Sequence, residues 1–192
     1  MRGCVLGGLV AAALTYGLAL ILGTALFLAI TRTGLFAGIP ILFYRGIASL
    51  GATFVLLVGA MAWVTRRPRL GLAPRDAVGA SVTAVALLLT AFTLGPVTVD
   101  RSISVFVLSR FAAAPEGLDE KAVREAFLRI YVGEWAQIQR RLDEQVASGN
   151  LVRADGSYRL TPQGERFMRT ARETARVFDT DRRFVGLPAE PW

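Results

Sequence analysis

The sequence predicts a mainly α-helical membrane protein: three transmembrane helices followed by a small soluble α+β domain with one β-hairpin. Three observations carry this. Residues 1–99 contain three apolar runs, each close to the ~20 residues needed to cross the hydrocarbon core. Charge is segregated: residues 1–99 hold seven arginines and one acid, Asp76, whereas residues 100–192 hold fifteen basic and fourteen acidic residues. Finally, two short strand-like runs flank Asp155-Gly156, a two-residue hairpin turn signal, amid helix-periodic segments. The expected organisation is a transmembrane domain over 1–99, a soluble domain over 100–178 and a tail over 179–192.

The first span, about residues 5–30, lies in an uncharged run of 27 residues from Cys4 to Ile30. A cleaved signal peptide is the competing reading, but signal cores are only about 7–15 residues long. The second span covers about 41–64 and follows Pro40. The third covers about 77–94, where Gly95-Pro96 is expected to break it. Small residues recur four apart at Gly8/Ala12, Ala48/Ala52 and Ala80/Ala84, a spacing that lets helices approach closely. None of the spans carries an ionisable residue near its centre, which argues against a proton- or ion-coupled transport path.

Between spans one and two lies an apolar segment, 31–46, with Arg32 and Arg45 at its ends. It reads either as an interfacial or re-entrant element that meets a lipid head group, or as a connector. In the second reading Phe36, Phe43 and Tyr44 sit in the interfacial belt while the arginines snorkel. The loop 65–76 carries Arg66, Arg67, Arg69 and Arg75 and is expected to be cytoplasmic. With Arg2 at an inside N-terminus, three crossings put the C-terminal domain outside. Only Lys121 among the 22 basic residues is a lysine. With the abundance of Ala and Gly, that points to a GC-rich bacterial source and the inner membrane.

In the soluble half, Asp100 or Ser102 is expected to cap a short helix with Ile103, Phe106, Val107 and Phe111 on its apolar face. Pro115-Glu116-Gly117 ends it. A second helix is expected over Leu118–Val132, with Val123, Phe127 and Ile130 on one side. A third follows over Glu134–Ser148, with Trp135, Ile138, Leu142 and Val146 at helical spacing, stopped by Gly149-Asn150. After the hairpin, Thr161-Pro162 starts a fourth helix whose apolar line is Phe167, Met168, Ala171, Ala175 and Phe178.

The stretch RRLDEQVASGNLVRADGSYRLTPQGERF, with Tyr158, Leu160, Thr161 and Gly164, resembles the third helix and wing of winged-helix proteins of the MarR and PadR kind. The resemblance covers about residues 102–178. It implies a winged-helix-like fold, and a third helix and wing of the kind that meet DNA in those families. Gln137, Arg140, Arg141 and Glu144 would then face solvent on the third helix, and Arg153 and Arg159 would lie on the wing. Local charge disfavours DNA, because Glu134–Ser148 holds two basic and three acidic residues. Arg166, Arg169, Arg172 and Arg176 share one face of the last helix, but Glu165 and Glu173 are expected to pair with Arg169 there.

The chain has one cysteine and no histidine. That excludes an internal disulfide and His-based catalysis and leaves no ordinary zinc or haem ligand set. No cofactor, metal or catalytic residue is expected. Tyr44, Arg45, Asp100 and Arg101 are candidates for a lipid head group at one interface; the simpler reading is a helix cap with interfacial anchors. The candidates for docking a protein partner are Gln137, Arg140, Arg141, Arg153, Arg159 and Trp192. In the tail, Phe184, Leu187 and Trp192 could anchor a docking strip or belong to a disordered end. The expected function is an accessory or regulatory subunit of a membrane complex, with membrane lipids and a protein partner or second copy as its contacts. A membrane-tethered transcriptional regulator and an envelope lipid- or glycan-handling subunit are the alternatives.

Overall fold

The computed structural model describes residues 2–67, 74–178 and 180–186. The chain is mainly helical, with three long apolar helices and one small two-stranded antiparallel sheet. It divides into two compact units, one up to Val105 and one from Phe106 onward.

In the first unit, α1 spans Arg2–Thr33, α2 spans Leu42–Thr65 and α3 spans Pro74–Phe92. A π-helical turn, Thr93–Val97, and α4, Thr98–Arg101, prolong the third helix. The stretches Gly7–Thr33, Leu42–Thr65 and Asp76–Arg101 are each long and apolar enough to cross a membrane. At 1.5 Å per residue they exceed a hydrocarbon core of about 30 Å, which leaves room for tilt.

The third helix does not stop at Gly95-Pro96 as expected. Proline lacks the N–H that would return to the carbonyl of Phe92, and its ring crowds that carbonyl. The wider π turn relieves this, and the Thr98 hydroxyl donates to the Thr93 carbonyl at 2.9 Å across it. The helix breaks at Ser102 instead, where the backbone is extended.

The three helices pack mutually along lines of residues four apart. On α1 these are Thr15, Ala19, Gly23 and Phe27; on α2, Ser49, Thr53, Leu57 and Met61; on α3, Ala77, Ala80, Ser81, Ala84, Leu88 and Phe92. Ala80/Ala84 is therefore an interface pair, whereas Gly8 is exposed and Ala12, Ala48 and Ala52 are only half-buried. The buried hydroxyls return to their own helices. Thr15 donates to Ala11 O at 2.8 Å, Ser49 to Arg45 O at 3.0 Å, Thr53 to Ser49 O at 2.8 Å and Ser81 to Ala77 O at 2.7 Å. Leu14, Ile21, Val55 and Leu87 point outward.

The connector 34–41 is a turn and contains no re-entrant helix. Gly34 takes a left-handed φ of 71°, and hydrogen bonds from Ala37 N to Gly34 O and from Ile39 N to Phe36 O close it. In the loop 65–76, the Arg67 guanidinium lies 3.8 Å over the Trp63 ring; Arg69 lies outside the described residues.

The second unit contains most of α5 (Ile103–Ala112), then α6 (Glu120–Ala126), a π-helical stretch Phe127–Glu134, and α7 (Gln137–Ala147). Next come β1 (Leu151–Ala154), β2 (Ser157–Leu160), α8 (Pro162–Val177) and a 3-10 turn, Arg182–Val185. Ser102, not Asp100, caps α5: its Oγ accepts from Val105 N at 3.1 Å, while Asp100 lies inside α4. Asp119 caps α6 through Ala122 N at 2.7 Å.

Helix α7 ends in a Schellman motif, with Asn150 N donating to Gln145 O and Gly149 N to Val146 O. The strands pair in the register Leu151↔Leu160 to Ala154↔Ser157, around Asp155 and Gly156 at φ 52° and 75°. Both turn residues thus have the positive φ of a type I′ hairpin. Thr161 caps α8 through Gly164 N at 3.1 Å, with Pro162 in the first turn. A side chain at Gly164 would collide with the Asn150 carbonyl, so this corner accepts only glycine.

Gly46 of α2 lies against the face of Phe92, and a Cβ there would overlap the ring. Phe92 is itself held edge-on to Phe27, with ring centroids 5.8 Å apart. Gly46→Ala should therefore destabilise the three-helix unit by about 1–3 kcal/mol through overpacking. Gly51→Ala, where a Cβ meets open space, should be neutral. Thermal unfolding of the two variants in mild detergent checks this.

Candidate functional site

The C-terminal unit has a small aromatic centre. Phe106 is buried, with the rings of Phe127, Tyr131 and Trp135 at 6.0, 5.2 and 5.4 Å from it, all edge-on. Phe127 and Tyr131 stack at 5.0 Å. The Arg110 guanidinium lies over the Phe106 ring at 5.2 Å.

Helical spacing predicts Trp135 on the apolar face of the third helix. It instead precedes α7, because the π-helical stretch runs through Gly133 and Trp135 N donates to Ile130 O at 2.8 Å. Ala136 then takes a left-handed φ of 47°, which turns the chain into α7. A left-handed non-glycine residue costs about 1–3 kcal/mol, and the packed Trp135 ring supplies contacts that offset it.

On α7, the expected solvent face is partly inverted. Glu144 is 6% exposed. Arg141 Nη1 donates to both of its oxygens, at 3.0 and 2.8 Å, and Arg140 Nε stands 3.4 Å away. The two arginines expected to face a partner are thus drawn onto one buried carboxylate of their own helix. Gln137 is half-buried, and its Oε1 is buried without a hydrogen-bond partner among the described residues.

On the hairpin, the Arg153 guanidinium lies 5.7 Å over the ring of its cross-strand partner Tyr158, and Tyr158 Oη accepts from Gln139 at 3.2 Å. Arg159 is exposed opposite Val152. On α8, Glu173 pairs with Arg176 one turn on, in place of Arg169. Trp192 and Leu187 lie outside the described residues.

The apolar residues of this unit are incompletely covered. Ile138 and Phe167 are each 59% exposed, Phe178 is 73% exposed and Phe184 89%. Phe167, Ala171, Thr174, Phe184 and Val185 line a shallow apolar groove of about 500 Å3 between α8 and the 3-10 turn. The turn is held by Arg172 Nε donating to Val185 O at 3.3 Å and by Asp181 accepting from Arg183. The Arg183 guanidinium, bonded to the Asp181 carboxylate, holds that carboxyl below its usual range. Composition alone gives no sign of the groove, since residues 179–192 lack periodicity; the spacing of Phe167, Ala171, Thr174 and Phe178 along α8 is the only signal for it.

In the membrane unit, Gly46 against Phe92 shows that the start of α2 and the end of the third helix lie at one end. Tyr44 and Arg45 stand at the start of α2, and Asp100 and Arg101 lie eight and nine residues past Phe92, about 12 Å further along by helical rise. Arg45 Nε donates to the Ile39 carbonyl at 3.3 Å, so part of its guanidinium serves the connector. Tyr44 is exposed beside Phe43, with ring centroids 5.8 Å apart. Asp100 and Arg101 both have interaction partners. Among the described residues no three Cys, Asp or Glu side chains gather as metal ligands. No family model matches the chain, and no curated protein or solved structure matches it.

Glu144 ties Arg140 and Arg141 to the body of α7, at a depth between surface and core. A double-mutant cycle with Glu144→Gln and Arg141→Gln should give a coupling of about 1–2 kcal/mol, above that of exposed pairs and below that of fully buried ones. Urea-dependent proteolysis of the C-terminal unit in the detergent-solubilised chain measures it.

Proposed function

We propose that this protein is a small multi-pass membrane subunit that docks a partner protein through its C-terminal unit, as an accessory or regulatory component of a membrane complex. The observation that carries the reading is the exposed apolar groove between α8 and the 3-10 turn, with Phe167 and Phe184 on its lining. Folded soluble units rarely leave contiguous aromatic side chains in water, and such patches mark association sites. Phe167, Phe178 and Phe184 supply large apolar anchors, and Arg166, Arg169 and Arg176 supply a polar rim.

The helix–helix–helix–hairpin–helix order supports a winged-helix-like fold used for docking. Use on DNA is disfavoured because α7 carries two arginines and two carboxylates, Asp143 and Glu144, with both arginines paired to Glu144, where phosphate binding needs excess positive charge. The loop charges favour an N-terminus inside and the C-terminal unit outside the bacterial inner membrane, away from the chromosome.

Two outcomes test the proposal. In mild detergent the chain should purify in a complex larger than one copy. Phe167→Asp with Phe178→Asp should release it while membrane levels stay within about twofold of wild type; a chain that is always a monomer counts against docking. Reporter domains fused after Trp192 that work on only one side of the membrane should give the outside signal. An inside signal would reverse the orientation and favour a tethered transcriptional regulator.

A further inference from the structure

We infer that α5 is a membrane-interface helix, whose outer face binds the lipid head-group and acyl boundary beside the third span. The helix is apolar and ten residues long, Ile103–Ala112. At 1.5 Å per residue it is about 15 Å long, half a hydrocarbon core, so it cannot cross.

Its faces differ. Phe106 and Arg110 point into the aromatic centre, and Phe106 is buried there. The opposite arc carries Val105, Leu108, Phe111 and Ala112, with Ser104 the only polar residue, and no charge. All of these are exposed, Leu108 by 66%.

The occupant is identified by continuity with the membrane-spanning helix. The third candidate span ends at Arg101, and α5 starts at Ile103. Two residues of chain reach at most about 7 Å, so the first turn of α5 is held at the membrane surface. The extended backbone at Ser102 ends the third helix there, and its capping bond to Val105 N starts α5. Exposed apolar side chains recur on both sides of the break, Leu94 and Val99 before it and Ile103 and Leu108 after it. Arg101, exposed at the end of the third span, stands where guanidinium groups meet lipid phosphates. An uncharged arc so tethered gains more from the acyl boundary than from water, as interfacial helices do.

The single native cysteine makes the test direct. In a Cys4→Ala background, the full chain carries Val105→Cys, Leu108→Cys or Ala112→Cys in turn, labelled with a nitroxide. It is reconstituted in nanodiscs of phosphatidylcholine and phosphatidylglycerol. Lys121→Cys, on the exposed face of α6, is the aqueous reference.

At the three α5 sites, collisions with oxygen should exceed those with a water-soluble nickel chelate by severalfold over the ratio at position 121. A ratio equal to that at 121 would overturn the inference, since the face would then be solvated. Shielding from both reagents would also overturn it, because that marks cover by protein, either a partner or a second copy. The three sites are independent, so one poorly folding variant leaves the other two to decide.

Discussion

The membrane half depends on one constraint: polar groups inside it must find partners within their own helix. Hydrocarbon offers no hydrogen bonds, and it gives helices no hydrophobic reason to associate, since lipid tails are as apolar as leucine. Association then rests on close contact. Thr15, Ser49, Thr53 and Ser81 sit at the interfaces because each hydroxyl returns to a carbonyl one turn back and presents only a small surface to its neighbour. Gly23, Gly46 and Gly79 extend this, each accepting a larger side chain from another helix, Leu57, Phe92 and Tyr16 respectively. The large side chains are thereby sorted, with Leu57 and Met61 inward and Leu14, Ile21 and Val55 outward.

The same rule explains the third helix. In water, Gly95-Pro96 would end a helix, because solvent can take the carbonyls that proline leaves. At membrane depth that ending is costly. The π turn and the Thr98 hydroxyl keep the chain helical to Arg101, so the break moves to Ser102. There the backbone can be extended and the serine hydroxyl can cap α5.

Where the sequence is legible, the signal is local. Asp155-Gly156 takes positive φ at both turn positions, Gly149 completes a helix cap, and Thr161-Pro162 opens α8, because each feature is set by the chemistry of two or three adjacent residues. The apolar runs are legible for the same reason: crossing a bilayer is a property of composition and length. Pro96, Trp135 and Glu144 depart from their expected places because their environments are not local. Helical periodicity puts Trp135 on α7, but its ring packs edge-on to Phe106, nearly thirty residues earlier, and Ala136 after it is left-handed. Charge pattern puts Glu144 in solvent, yet two arginines of its own helix make its burial tolerable. Among the candidate site residues, Arg153 and Arg159 lie on the hairpin and Gln137, Arg140 and Arg141 on α7, while the state of their charges could not be read from spacing.

That charge state decides how the C-terminal unit can be used. A nucleic-acid surface needs guanidinium groups facing outward with few carboxylates nearby. Here the α7 guanidinium groups fold back onto Glu144, Arg153 lies against Tyr158, and Arg183 is bonded to Asp181. Phe167 and Phe184 at the groove are exposed, as are Phe178 and Ile138, and Arg159, Arg166 and Arg169 also face outward. The pairing on α7 and the hairpin leaves less excess positive charge there than a phosphate-binding surface needs. The hairpin and the two caps at Gly149 and Thr161 hold the α7–α8 corner together through hydrogen bonds that do not depend on a large core.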